Sequence, residues 1–278
     1  MPWVARAFPD LRDLAFLAQG GQKWVFTAIH AADGEVVIKL IKPLQDPRRL
    51  EREVDTLKRL GSKRVPRLYD TGSISSPLGP LLWTREALIR GESLRAVFAR
   101  GPLGRQDVLA LGADVLEGLQ DAAALGVVHR DVKPENIIRD TSGRFWLLDF
   151  GVARKLDLES LTPTAAPWGV GTLGYSPPEQ LRNVKAKIDQ RSDLFSVGVV
   201  LYESAGGVNP FTSGAVDAVE VIRRIESLSP PDLPPHLSRD DDLNEFIQTL
   251  LQKYPDQRPS SVADARVWLK EIQARGGS

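Results

Sequence analysis

Across residues 16–41 the apolar positions fall in short runs rich in β-branched and aromatic side chains, Val25-Phe26-Thr27-Ala28-Ile29 and Val36-Val37-Ile38-Lys39-Leu40. Ala32-Asp33-Gly34 lies between them, and Asp-Gly accepts the backbone of a tight reversal, so the pattern predicts a hairpin. Over residues 47–60 the period changes. Leu50, Val54, Leu57 and Leu60 recur at helical spacing with charges between them, which predicts an amphipathic helix. Residues 65–74 and 81–88 predict two further strands, so the first third reads as a small sheet carrying one helix.

After Gly91 helical periodicity dominates. Val108, Leu111, Val115, Leu116 and Leu119 mark a long helix, and the same spacing recurs over residues 217–225, 243–251 and 261–272. Residues 194–201 are apolar nearly all round, as only a buried helix can be. One stretch breaks the trend: Asn136-Ile137-Ile138 and Phe145-Trp146-Leu147-Leu148, joined by Asp140-Thr141-Ser142-Gly143, predict a second hairpin. The Pro- and Ser-rich residues 228–238 read as a surface loop, and no internal repeat is present.

Composition narrows the function classes. The 278 residues carry 36 basic and 36 acidic side chains, so no electrostatic footprint for nucleic acid or an anionic membrane is expected. The absence of cysteine excludes disulfides, thiolate metal sites and a cysteine nucleophile, and suits a cytoplasmic location. Met1-Pro2-Trp3-Val4-Ala5-Arg6 lacks a basic region followed by an apolar run, so no secretory leader is expected. The longest uncharged apolar stretch, residues 194–202, is well under the roughly 18 residues that cross a bilayer, so no membrane segment is expected and the chain reads as soluble.

Candidate chemistry concentrates in His129-Arg130-Asp131-Val132-Lys133-Pro134-Glu135-Asn136, followed by Asp149-Phe150-Gly151 past the second hairpin. Two carboxylates and an amide offer hard oxygen ligands for Mg²⁺, and the lysine offers a cation for phosphate. Lys39 lies mid-strand among apolar neighbours, where an unpaired ammonium is costly to bury, so it needs anionic company.

In this combination the chain resembles the protein kinase family over about residues 16–269, and Thr162-Pro163-Thr164-Ala165-Ala166 with Glu179-Gln180 resembles the eukaryotic-like Ser/Thr kinases of bacteria. The resemblance implies an α+β bilobal protein kinase fold, a small antiparallel sheet lobe with one helix and a larger, mainly helical lobe. It places one kinase domain over residues 1–278, with an N-lobe to about residue 84, a hinge at about 85–91 and a C-lobe at 92–278. ATP would bind in the cleft between the lobes, with Mg²⁺ and a protein carrying a Ser or Thr hydroxyl as co-substrate.

By the same resemblance Asp131 is the catalytic carboxylate, Lys133 neutralises the transferring phosphoryl group, and Asn136 and Asp149 hold the metal. Lys39 takes the α- and β-phosphates and pairs with a glutamate on the following helix. Glu53 fits that place best, because Leu57 and Leu60 extend its inward stripe, and Glu51 is the competing choice on another helix face. Val37, where the family usually has alanine, would line the adenine slot together with Val25 and Ile138. Thr172 and Lys133 match the Ser/Thr-specific pattern. Glu179 would pair with Arg258, and Asp193 would hold the backbone of the His129-Arg130 loop.

The phosphate-covering loop departs from the family's three glycines. Lys23 and Ala18 take two of the three places, Gly20 keeps its own, and Gly21 is an addition. A lysine there exchanges close backbone approach for an ammonium near the phosphates. Arg130 implies regulation by a phosphate on the activation segment, with Thr162 and Thr164, then Ser160, as acceptors for autophosphorylation, in trans if the chain self-associates. Two alternatives stay open: an inert pseudokinase scaffold, suggested by the altered loop, and a small-molecule phosphotransferase.

Overall fold

The alternating runs of the first third fold into a five-stranded antiparallel sheet. The computed structural model describes residues 2–20, 23–42, 56–150, 173–234 and 241–275, and elements are numbered among these. Strands β1 (Leu11–Gly20), β2 (Lys23–His30), β3 (Gly34–Ile41), β4 (Leu68–Ser76) and β5 (Gly79–Ala87) lie in the order β1-β2-β3-β5-β4. The expected turn at Gly34 is present, with a left-handed φ of 73° that glycine adopts without strain.

Alternation along the strands sorts the side chains between two faces. Phe26, Ala28, Val36, Ile38, Leu40 and Leu81 turn to one face and form a core with Val4 and Phe8. Those last two come from the helix α1 (Pro2–Ala7) and the residue just after it, and the Phe8 ring meets Trp83 edge-on at 5.3 Å. Helix α1 was not legible in the sequence, being too short to establish a period.

Two strand boundaries differ from expectation. β4 starts at Leu68, after Pro66, which has no N–H to give a ladder. β5 runs from Gly79 to Ala87 where a strand over residues 81–88 was expected, and its Arg85 and Glu86 pair with Ile38 and Val37. Most of the helix expected over residues 47–60 lies outside the described residues.

The described residues separate into two compact units, one up to Arg90 and one from Gly91. The second holds a small sheet, β6 (Gly91–Ser93), β7 (Ile137–Asp140) and β8 (Phe145–Leu147), where β7 and β8 form the expected second hairpin. Its helices are α2 (Leu94–Phe98), α3 (Arg105–Ala123), α4 (Pro178–Leu181), α5 (Gln190–Gly206), α6 (Ala218–Ser227), α7 (Asp241–Leu250) and α8 (Val262–Arg275).

Helix α5 is the centre of this unit, buried from Ser192 to Ala205 and packed by α3, α7 and α8. Burying each of its large apolar side chains is worth roughly 1.5–3 kcal/mol. Gly198 permits the close approach: a Cβ there would lie 2.8 Å from Cβ of Leu250. Asp189 caps the N-terminus by accepting from the Arg191 N–H at 2.8 Å. No helix among the described residues is long and apolar enough to cross a membrane.

Candidate active site

In the first unit the strand register collects the expected nucleotide-binding side chains on one face. Val25 lies opposite Lys39 across β2 and β3, and Thr84 opposite Lys39 across β3 and β5. Directly opposed residues point to the same side, as do residues two apart, so Lys23, Val25, Val37, Lys39, Thr84 and Glu86 share the face away from the α1 core. Lys39 is buried, with 8% of its surface exposed.

Its ammonium donates to Oε2 of Glu86, and Thr84 Oγ1 donates to Oε1 of the same carboxylate at 2.8 Å. A carboxylate from the adjacent strand thus supplies the anionic company that Lys39 requires. The sequence reading gave Glu86 no such role, since only register shows that Glu86 and Lys39 face the same way. Glu53, Glu51 and Gly21 lie outside the described residues.

Gly20 and Lys23 oppose each other at the end of β1 and β2. A Cβ on Gly20 would meet Cγ and Cε of Lys23 at 3.9 Å, an ordinary contact, so nothing among the described residues of this unit demands glycine there.

In the second unit the loop ahead of β7 is held from below by α5. Asp193 accepts from the backbone N–H of His129 at 2.8 Å through Oδ2 and of Arg130 at 2.7 Å through Oδ1. Burial dominates its titration and pushes the carboxyl up to about 7, although the two N–H donors and the Arg130 charge pull the other way. Arg130 is left-handed, at φ 66°, a conformation that costs a residue with a Cβ about 1–2 kcal/mol.

His129 is fully buried. Nε2 lies 2.8 Å from the Leu148 carbonyl, and the Asp131 N–H donates to Nδ1 at 3.2 Å, which assigns the neutral tautomer with hydrogen on Nε2. The Phe150 ring packs on this imidazole at 4.4 Å, tying the second motif to the first.

Asp131, Lys133 and Asn136 converge. Oδ2 of Asp131 lies 2.9 Å from the Lys133 ammonium and accepts from Nδ2 of Asn136, also at 2.9 Å. Nδ2 donates as well to the Asp131 carbonyl at 2.8 Å. A 3-10 turn over Pro134–Asn136 aims that amide, and the Leu148 N–H donates to the Asn136 carbonyl at 2.8 Å, bringing the start of the Asp149 motif beside it. Asp149 is left-handed at φ 59°, which aspartate tolerates better than most residues. The residue types fit a hard divalent cation: Nδ2 of Asn136 is committed to Asp131, so Oδ1 is the atom of that amide suited to a ligand role, and Asp149 offers a carboxylate. Ile138, expected to line the base slot, is on β7 opposite Ser93 and Trp146.

Beyond the loop, Glu179 on α4 makes a two-pronged contact with Arg258, at 2.7 and 3.0 Å, with both side chains almost wholly buried. Ser192 Oγ also donates to Glu179, at 2.8 Å, and Arg258 donates to the Arg191 and Gln252 carbonyls. Thr172, Ser160, Thr162 and Thr164 lie outside the described residues. One cluster escaped the sequence reading: Arg95 donates to Glu135 at 2.8 Å and to Glu203 at 2.7 Å, and the Tyr175 hydroxyl bonds to both Arg95 and Glu203. Burial, then the Glu203 charge, pushes the Tyr175 hydroxyl up. These residues are far apart in sequence, and no motif spacing links them.

An acidic loop residue clasped by lysine and asparagine suits phosphoryl transfer, and the chain belongs to the protein kinase family. The protein kinase domain family matches residues 12–270. More particularly, it is similar to bacterial serine/threonine-protein kinases. It is 37% identical over 251 residues to the probable serine/threonine-protein kinase PkwA of Thermomonospora curvata, covering 88% of this chain and 32% of that protein. It is 32% identical over 246 residues to the serine/threonine-protein kinase PknB of Mycobacterium tuberculosis, covering 86% and 38%, and 33% identical over 246 residues to PknB of Mycolicibacterium smegmatis, covering 86% and 39%. The chain thus spans between 32% and 39% of the length of these curated relatives. Members of this family use ATP with a divalent metal.

Proposed function

We propose that this chain transfers the γ-phosphate of ATP to serine or threonine hydroxyls of protein substrates, using Mg²⁺ as the divalent cation. The observation that carries the reading is the Asp131 carboxylate, one oxygen of which is fixed by both Lys133 and Asn136 at 2.9 Å. Such a carboxylate is oriented before substrate arrives, as positioning of a nucleophilic hydroxyl requires.

Asp131 accepts the hydrogen bond of the substrate hydroxyl and aims it at phosphorus. Lys133 offsets the charge of the phosphoryl group in transit, and Asn136 and Asp149 hold the cation. When bound, the cation supplies charge that offsets the negative charge developing on the β,γ-bridging oxygen. Lys39, paired with Glu86, contacts the α- and β-phosphates. Val25, Val37 and Ile138 give the adenine an apolar surface, while Gly20, Gly21 and Lys23 cover the phosphates, with Glu53 as a further partner of Lys39. Thr172 contributes to Ser/Thr selection beside Lys133. The end of β5 at Ala87 supports a hinge made of the few residues that follow it, between an N-lobe and a C-lobe.

The presence of Lys39, Asp131, Lys133, Asn136 and Asp149 together argues against an inert scaffold. Regulation is read as autophosphorylation at Thr162 or Thr164, with Ser160 third, in trans through transient self-association, in the cytoplasm. Phosphoamino-acid analysis of a generic basic protein incubated with γ-labelled ATP and Mg²⁺ tests the substrate class: phosphoserine and phosphothreonine are expected, and label confined to small molecules would refute it.

A further inference from the structure

Helix α4 carries a second side chain besides Glu179 that reaches out of the helix into functional structure. Gln180 is buried, with 4% of its surface exposed, and its Nε2 donates to the backbone carbonyl of Arg130 at 2.9 Å. The amide cannot be turned round, because Oε1 would then oppose the carbonyl oxygen of Arg130. In the orientation observed, Oε1 is buried with no hydrogen-bond partner among the described residues. A buried amide that grips one carbonyl while its own oxygen meets no partner among the described residues is a poor choice for stability alone.

The gripped peptide is the one that joins Arg130 to Asp131. Arg130 is held left-handed at φ 66°, and its N–H is already taken by Asp193. A residue in that conformation persists only where its surroundings fix it on more than one side. Asp193 fixes the side before Arg130, and Gln180 fixes the side after it. Gln180 is itself immobilised through Glu179, its neighbour in α4, which is tied to Arg258 and Ser192. Glu179 and Arg258 form a rigid anchor, and Gln180 transmits it to the backbone of Asp131.

We propose that Gln180 is a positioning residue for phosphoryl transfer: by fixing the Arg130 carbonyl it sets the orientation in which Asp131 meets the substrate hydroxyl. This rests on the kinase reading above. It also links the helix that ends the activation segment directly to the catalytic loop.

The test compares Gln180→Met, which keeps the bulk and loses the donor, with Gln180→Glu, in the whole chain. A carboxylate facing the Arg130 carbonyl is repelled, whereas a protonated carboxyl donates to it. Among the described residues the charged groups about this contact include Arg130, Asp131 with its partner Lys133, Glu179 with its partner Arg258, and Asp193; they are common to wild type and variant, so the ratio of the two rates isolates residue 180. Gln180→Met is expected to lower kcat about tenfold, the loss of one well-placed buried hydrogen bond, with the KM for ATP within about twofold. Gln180→Glu is expected to match it at about pH 8 and to regain activity relative to wild type as the pH falls towards about 6. Hydrogen exchange at the Asp131 amide should quicken in Gln180→Met. Wild-type kcat in both variants overturns the proposal, as does a loss that follows the melting temperature with no recovery of Gln180→Glu at low pH. A wild-type chain as inactive as Asp131→Asn overturns the kinase reading, and this proposal with it.

Discussion

Lys39 and Glu86 form an ion pair within one sheet, on adjacent antiparallel strands, with their side chains 11% and 16% exposed. The pair is braced by Thr84, which bonds to the other oxygen of the carboxylate. Lys39 therefore has a counterion that does not depend on a helix being in place. Glu86→Ala is expected to destabilise the first unit by about 1–3 kcal/mol and to weaken ATP binding, because Lys39 loses one buried carboxylate partner that orients it. Glu86→Gln, which keeps a polar contact with Thr84, should do less. Thermal unfolding and ATP titration check both, and an unchanged ATP affinity in Glu86→Ala would show that Glu86 does not orient Lys39 for the nucleotide.

The Asp193 carboxyl, pushed up to about 7 by burial, should make activity and stability move in opposite directions with pH. Below that value it protonates and loses an acceptor for the His129 and Arg130 N–H groups, so kcat should decline as the pH falls through about 7. For stability the folded value lies above the ordinary carboxylate value of about 3.9, so the folded state takes up the proton first. This group's contribution to stability is therefore fully present below about pH 4 and is lost as the pH rises through about 7. Rate profiles and melting curves from about pH 5 to 8 separate the two effects, and a rate that holds level through about pH 7 would show that the clamp survives protonation.

Glu179 and Arg258 are buried so completely that either one left alone is an uncompensated charge. Arg258→Ala or Glu179→Ala should cost about 3–5 kcal/mol, most of it the exposed cost of the survivor. Replacing both at once with apolar residues should cost less than either single change. Denaturant unfolding of the three variants decides this, and additive losses would contradict it.

Lys23 lies on the same sheet face as Lys39, opposite Gly20. Lys23→Gly should raise the KM for ATP several-fold, through loss of an ammonium near the phosphates, with little change in melting temperature. Gly20→Ala should fold normally, since the added methyl finds only ordinary contacts. If it nevertheless weakens ATP binding, the glycine serves the ligand. Unaltered kinetics in Lys23→Gly would mean that its ammonium points to solvent.

Much of the fold was legible where local chemistry decides it. Asp33-Gly34 specified one turn and Asp140 to Gly143 the other, and the all-round apolar character of α5 marked the helix at the heart of the second unit. The Asp193 grip on the loop and the Glu179 contact with Arg258 also correspond to pairings read from the motifs. What stayed hidden depended on register or on distance. Glu86 became the partner of Lys39 only once β3 and β5 were aligned, Val4 and Phe8 were too few to show a period, and Gln180 meets Arg130 across 50 residues of chain.

The central claim is that the clasped carboxylate of Asp131 performs phosphoryl transfer, and the most direct test is the rate of label transfer from γ-labelled ATP to a protein substrate by wild type and Asp131→Asn. The side-chain volume is unchanged in this variant, so folding should be retained. A fall of at least about a hundredfold is predicted, the usual worth of a positioned general base. Transfer by Asp131→Asn at the wild-type rate would contradict the account.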